Sequence, residues 1–276
     1  EMEGALLENF YYMISLLLHH KITPIFIFDG KARESKKNKL MERAREKRKA
    51  EQNYNNISKI LEEEKDSARR EELKGEMEKM RKKFVRISKD DIDKVKELMS
   101  AYGVPYYTAP YEADELCVRL VLNKQAYGCM SEDMDMFVYG CPVVFRYVSL
   151  LRETVVQYNL RGILKTLNMS LLEFREICVI SGTDYNKSSY NLYYYYKKFL
   201  KFKKSNDCNF YEWLSKYTNS IDDIFNVLNI YFMFDLNSEE YDYLKDFDEY
   251  TYCMKDKNSY KLQNVLKREG FIFLNN

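Results

Sequence analysis

The sequence predicts an α/β fold: a mainly parallel sheet flanked by helices, with a projecting helical arch and a helical C-terminal region. Three observations predict it. Apolar runs of strand length, beginning with Ile25-Phe26-Ile27-Phe28, alternate with stretches of helical period, which is the rhythm of βα units. Residues 34–86 are charged and polar, without proline and with only Gly75 as glycine, so they read as long helices with too little apolar surface to pack deeply. From Ser170 onward the apolar spacing is predominantly helical.

Element by element, Leu6, Phe10, Met13 and Leu17 give residues 1–20 a helical period. Ile25 to Phe28 ends at Asp29-Gly30, the form of a buried parallel strand with an acid at its carboxyl end. The arch reads as two helices joined near Asn53 to Ser58. Asp90-Asp91 cap a helix through Ala101, closed by Gly103. Strands follow at 104–108 and 126–130 around a helix over 112–122, then a helical turn from Met136 and a hairpin over 143–147 and 155–158. Ser170 and Glu173 have capping-box spacing and open a helix to Ile180. Helices over 190–204, 210–217 and 221–234 complete the chain, with Phe271 and Phe273 expected in a final packed strand.

Six carboxylates sit where these elements begin or end: Asp29 in IFIFDG, Glu112 and Asp114 in APYEADE, Asp133 and Asp135 in SEDMDMF, and Asp184 in SGTDY. In an open α/β sheet that edge is where ligands collect, and crowded acids repel unless cations sit among them. The set therefore reads as a divalent-metal site assembled from distant segments, suited to a phosphodiester substrate. Glu112 and Asp114 can share a site only in the first turn of their helix, because two residues turn about 200° around its axis. Asp133 and Asp135 can share one if the chain there is extended. Oxygen ligands alone point to Mg²⁺ or Mn²⁺, and a pair of such ions supports in-line hydrolysis without a covalent intermediate.

Composition removes other chemistries. Only His19 and His20 are present, so His-based zinc sites and Ser-His-Asp catalysis lack their parts. The six cysteines form no CxxC pair, which points to a reducing, intracellular compartment. Trp213, the methionines and the cysteines read as packing. No apolar stretch suits a membrane span, and no signal peptide is expected. The net charge of +1 conceals an uneven distribution: residues 31–50 hold ten Lys or Arg against three Glu, whereas 235–250 hold seven acids against Lys245. A basic segment directly after an acidic ligand suits a polyanion that must be drawn toward carboxylates.

IFIFDGK, APYEADELCVRL, SEDMDMFVYG and ICVISGTDY, in this order and at these separations, resemble the flap endonuclease family of structure-specific 5′ nucleases, which includes the related 5′ exonucleases. The resemblance runs from Glu1 to about Tyr185 and is diffuse beyond. It implies a PIN-like core over 1–185 with the arch inserted at 31–90, a DNA-binding helical region over 186–276, and two Mg²⁺ ions. The implied substrate is DNA with a 5′ flap or a junction of single and double strands. By the same resemblance Asp29 and Asp114 would hold the first ion, and Glu112, Asp133, Asp135 and Asp184 would surround the second. Lys36 and Arg43 match positions that contact the scissile phosphate, and Lys47 falls where the family has a further basic residue; by composition alone they would be a solvated helix face.

Two departures from the family pattern stand out. The resemblance implies an earlier strand carrying one more metal-ligating Asp, expected before Glu1, so the first ion site is expected to be one ligand short. After Asp184 the chain reads Asn186-Lys187-Ser188-Ser189-Tyr190 where the family has a glycine hairpin that grips duplex DNA. Duplex contact is then expected from Lys197, Lys198 and Lys201, with Lys203 and Lys204 beside them, while Tyr193 to Tyr196 read as helix core and surface. The protein is expected to act as a monomer in DNA replication, recombination or repair, in the nucleus or at another site of DNA replication such as a cytoplasmic viral one. No sliding-clamp peptide is recognisable at the end. A 5′-3′ exonuclease, or a non-catalytic DNA-binding scaffold on a degenerate nuclease core, are the alternatives, and a small-molecule phosphatase would explain the acids without the basic arch.

Overall fold

The computed structural model describes residues 3–205, 207, 209–217, 224–247 and 252–273. Expectations on residues 221–223, Cys208, Asp248, Glu249 and Leu274 to Asn276 lie outside those residues. Helix α1 (Glu3–His19) leads to β1 (Phe26–Phe28), and β1 pairs in parallel with β2 (Tyr106–Thr108), Phe26 opposite Tyr106. β3 (Cys129–Met130) runs parallel to β4 (Val143–Ser149), which pairs antiparallel with β5 (Thr154–Asn159) as the expected hairpin. The described strands thus form two small sheets, each with a parallel pair, and helices flank them.

Between β1 and β2 stand a 3₁₀ turn (Glu34–Lys36), α2 (Lys37–Glu63), α3 (Ser67–Phe84) and α4 (Lys89–Tyr102). The two long polar helices form as expected, but their joint lies at Glu64 to Asp66, not near Asn53 to Ser58. Nothing in 53–58 breaks a helix, and Tyr54 packs edge-on against Phe84 with ring centres 5.3 Å apart. At the actual joint Glu64 Oε1 accepts the amides of Lys65 and Asp66, and Asp66 caps α3 through the Ala68 amide. α4 is opened by Ser88, which forms a reciprocal capping box with Asp91, so the cap is two residues earlier than the Asp90-Asp91 pair suggested. Gly103 closes it at φ 78°, where a Cβ would lie 2.1 Å from the Lys255 carbonyl oxygen, so only glycine fits the returning chain.

Further along come α5 (Ala113–Leu122), α6 (Asp135–Tyr139), α7 (Leu160–Leu167), α8 (Leu171–Ile180), α9 (Leu192–Phe202), α10 (Phe210–Tyr217), α11 (Ile224–Phe232) and α12 (Ser259–Arg268). Neither α7 nor α12 was marked in the sequence as a separate helix; each is capped by an asparagine, Asn159 and Asn258. One core joins Leu116, Met136, Ile177, Phe199, Phe210 and Leu214. The second joins Leu7 and Ile14 of α1, Leu98 and Met99 of α4, and Leu262 and Leu266 of α12, with both the first and the last helix packed on α4. Each such fully buried side chain is worth about 1.5–3 kcal/mol of transfer free energy.

Phe271 and Phe273 belong to no strand; Phe271 instead meets Tyr11 edge-on at 5.9 Å, because its neighbours are helices. Trp213 packs as expected. Cys129 and Cys141 are buried, whereas Cys253 is exposed and departs from the expectation of buried cysteines. Among the described residues no helix is long and apolar enough to cross a membrane.

Candidate active site

The six carboxylates converge. The end of β1 is locked against the loop before α5: the Gly30 amide donates to the Tyr111 carbonyl at 2.7 Å and the Lys31 amide to that of Pro110 at 3.1 Å. Glycine is required here, since a Cβ at position 30 would lie 1.9 Å from the Ala109 carbonyl oxygen. This close approach sets Asp29 over the start of α5, where its Oδ1 accepts the Ala113 amide at 2.8 Å. Glu112 is the N-cap of α5 and Asp114 lies in its first turn, the one arrangement in which both can face a single site.

Asp133 and Asp135 are held differently from the expected extended segment. Met134 is in a right-handed helical conformation and Asp135 opens α6. The Asp133 side chain accepts the Asp135 amide at 2.9 Å and its own amide donates to Ser131 Oγ at 3.1 Å, so a turn and not a strand brings the pair together. Asp184 follows α8 and its amide donates to Asp135. The local reason is a tight turn in which Asn186 Oδ1 accepts from the amide and hydroxyl of Thr183.

Crowding shows in the titration of the acids. Burial, then the charge of Asp133, pushes Asp114 up to about 7, with Asp29 and Glu112 adding to the effect and Lys36 opposing it. Burial, then Asp133 and Asp184, pushes Asp135 up to about 6. Asp184 is also partly buried, but Lys39, Arg43 and Lys36 more than offset that and hold it below the usual carboxylate range.

The cations come from the root of the arch. Lys36 Nζ donates to Glu112 Oε2 at 2.7 Å, stands 3.9 Å from Asp184 Oδ2 and lies 5.2 Å from the centre of the Tyr185 ring. Burial opposes its charge, yet Glu112 and its neighbours raise its pKa. Lys39 donates to Asp184 Oδ1, and Arg43 Nη2 to Asp184 Oδ2 at 3.2 Å. Positions 36, 39 and 43 lie three and four residues apart, which puts them on one face of the helix. Lys39 was not singled out from the sequence, although that spacing from Lys36 marks it. Among the described residues no group of three or more His, Cys, Asp or Glu is arranged to hold a metal ion. The arch cations pair with two of the six acids, Glu112 and Asp184.

Lys47 lies apart from the acids, in a cavity of about 420 Å³ lined by Leu40, Arg43, Ala44, Arg48 and Arg86. Lys197, Lys198 and Lys201 lie on α9, where Lys197 Nζ is 4.3 Å from the Tyr193 ring centre and Lys198 Nζ 5.4 Å from that of Tyr194. Tyr195 is buried and Tyr193 exposed, as a helix with core and surface faces requires. Also missed from the sequence were Arg33, Glu115 and Tyr243, which form a polar group at α5; Glu115 closes the APYEADE block, but no motif marks Arg33 or Tyr243.

The XPG N-terminal domain matches residues 1–52 and the XPG I-region residues 103–184, so each acid but none of α9 falls within a match. Flap endonuclease 1 of Methanococcus aeolicus is 31% identical over 179 residues, 65% of this chain and 52% of its own. The chain spans about half the length of the curated relatives it matches. By fold it is similar to the catalytic core of Rad2 solved with a DNA substrate (TM-score 0.64, 20% identity, 95% of this chain and 79% of the other). It is also similar to flap endonuclease-1 of Methanococcus jannaschii (TM-score 0.54, 20% identity, 94% and 81%). The XPG N-terminal and I-region matches carry the four acidic blocks in order, and in both sequence and fold the chain is similar to the flap endonucleases.

Proposed function

We propose that this chain is a structure-specific 5′ nuclease that hydrolyses phosphodiesters near single-strand to double-strand junctions of DNA, in replication, recombination or repair. The observation that carries the reading is the convergence of six acids from four segments beneath Lys36, Lys39 and Arg43. Six carboxylates without enough positive charge are costly to hold ionised, as the raised Asp114 and Asp135 indicate, and an all-oxygen donor set fits hard divalent cations. Asp29 and Asp114 would hold one Mg²⁺ or Mn²⁺, and Glu112, Asp133, Asp135 and Asp184 a second. When bound, such ions supply hydroxide at neutral pH and neutralise charge on the leaving oxygen.

The chain's own residues supply the rest. Lys36, Lys39 and Arg43 pair with carboxylates in the ion-free protein; once those acids are engaged, their charges are available to a phosphate at the same place. Holding them at the arch root stabilises the charge that builds on the pentavalent phosphorus. Lys47 with Arg48 and Arg86 gives the inner arch a positive lining for a single strand, and Lys197, Lys198 and Lys201 offer backbone contacts to duplex on the C-terminal region. Residues 1–185 are then the nuclease core, 31–90 its arch and 186–276 the duplex-binding part, working as a monomer on DNA.

A 5′-flap duplex labelled at its 5′ end tests the proposal. Mg²⁺-dependent release of one short labelled oligonucleotide, lost in Asp133→Asn, is expected. A ladder of mononucleotides would assign the exonuclease activity instead, and equal residual cleavage by both proteins would overturn catalysis by these acids.

A further inference from the structure

The acidic stretch beginning at Asp235 has no part in the nuclease reading, yet its described portion makes a specific contact. Within the 3₁₀ segment Glu239–Phe247, Glu240 and Tyr243 close on Arg33. Arg33 stands between Asp29 and Lys36, and its side chain is only 10% exposed. Its guanidinium donates from Nε to Glu115 Oε1 at 2.7 Å, from Nη1 to Glu240 Oε1 and from Nη2 to Tyr243 Oη at 3.1 Å. Tyr243 Oη in turn donates to Glu115 Oε2, and the Tyr111 and Tyr241 ring centres lie 5.0 and 4.9 Å from the guanidinium carbon. Every edge of the fork is used, a geometry lysine cannot reproduce.

The position of this knot gives it a consequence. Glu115 is fully buried and follows Asp114 on α5, one helical turn after Glu112. The Lys36 amide donates to the Arg33 carbonyl at 3.0 Å, so the turn that aims Lys36 starts on Arg33. Arg33 therefore ties the arch root to the helix that presents two of the site carboxylates, and the C-terminal segment closes the tie. Arg33 as N-cap makes no side-chain bond to the turn it precedes, so the side chain is committed wholly to the knot.

We propose that Arg33 is a positioning residue, clamped by Glu115, Glu240 and Tyr243, that fixes Lys36, Lys39 and Arg43 over the site. The proposal rests on the nuclease reading for its catalytic consequence, while the clamp itself is independent of it. A buried Glu115 left without Arg33 can unfold the protein, so the decisive variants are Tyr243→Phe and Glu240→Gln, with Arg33→Lys beside them. Two measurements are made on each: amide hydrogen exchange of residues 34–43 and of α8 as a reference, and kcat and KM on the 5′-flap duplex with Mg²⁺.

Exchange over 34–43 is expected to rise about tenfold with α8 unchanged, since the clamp opens locally. kcat should fall about tenfold or more with KM little altered, because misplaced cations lose transition-state contact more than binding. Unchanged exchange at 34–43 would overturn the clamp. Faster exchange with unchanged kcat would overturn positioning. If the unmutated protein fails to cleave, the nuclease reading falls, and exchange alone decides the clamp.

Discussion

Replacing Asp114 by Asn should stabilise the metal-free protein and abolish its activity. The carboxyl is pushed up to about 7 from an ordinary 3.8, by burial first and then by Asp133. A carboxyl raised in this way keeps its proton in the folded chain where the unfolded chain has lost it, so stability falls as pH rises from about 4 to about 7. A tenfold change in a protonation equilibrium is worth about 1.4 kcal/mol, so ionised Asp114 costs the fold at most about 4 kcal/mol above pH 7. Asn carries no such penalty. Urea denaturation in a chelator at about pH 4 and about pH 8 should show the variant gaining up to about 4 kcal/mol over the unmutated protein between the two. Mg²⁺ at about pH 8 should then restore the unmutated protein more than the variant, by preferential binding to the folded state. A gain equal at both pH values, or none at about pH 8, would refute the crowding of these acids.

Other substitutions test separate links. Lys39→Met, which removes the partner of Asp184 Oδ1, should lower kcat on the flap duplex by about tenfold or more, with Lys39→Arg retaining much of it; unchanged kcat would deny Lys39 a role in phosphate charge stabilisation. Gly30→Ala puts a Cβ 1.9 Å from a backbone oxygen that cannot swing aside, so it should lower stability by about 1–3 kcal/mol in urea and displace Asp29 from α5. Glu176 on α8 is pushed up to about 7 from 4.5, by burial and then by Glu173, so it too destabilises the fold as pH rises. Glu176→Gln should gain about 2 kcal/mol between about pH 4 and about pH 8 once solvent screening is allowed for, read by the same denaturation.

Local signals were legible where one residue decides the outcome. Gly103 stopped α4 and Ser170 with Glu173 opened α8 as read, because caps act within a turn. The arch joint was misread because the asparagines at 53, 55 and 56 look like turn residues, whereas packing of Tyr54 on Phe84 holds the helix through them. The Asp133 and Asp135 pair was read as extended from its spacing, but the Asp133 side chain satisfies the Asp135 amide and turns the chain. Spacing alone cannot tell a strand end from a capped turn when both bring two acids to one pocket.

The sequence by itself determined the alternation of strand and helix, the polarity of the arch and the placement of six acids at element ends, since each follows from residues within a few positions of one another. Only the tertiary structure decided that Lys39 joins Lys36 and Arg43 on Asp184, that α12 returns to pack on α4 in one core with α1, and that the acidic stretch closes on Arg33. Arg33 and Tyr243 are 210 residues apart, and no local pattern marks partners at that separation. Burial gives such contacts their weight: a charge removed from water must find its partners wherever the chain brings them.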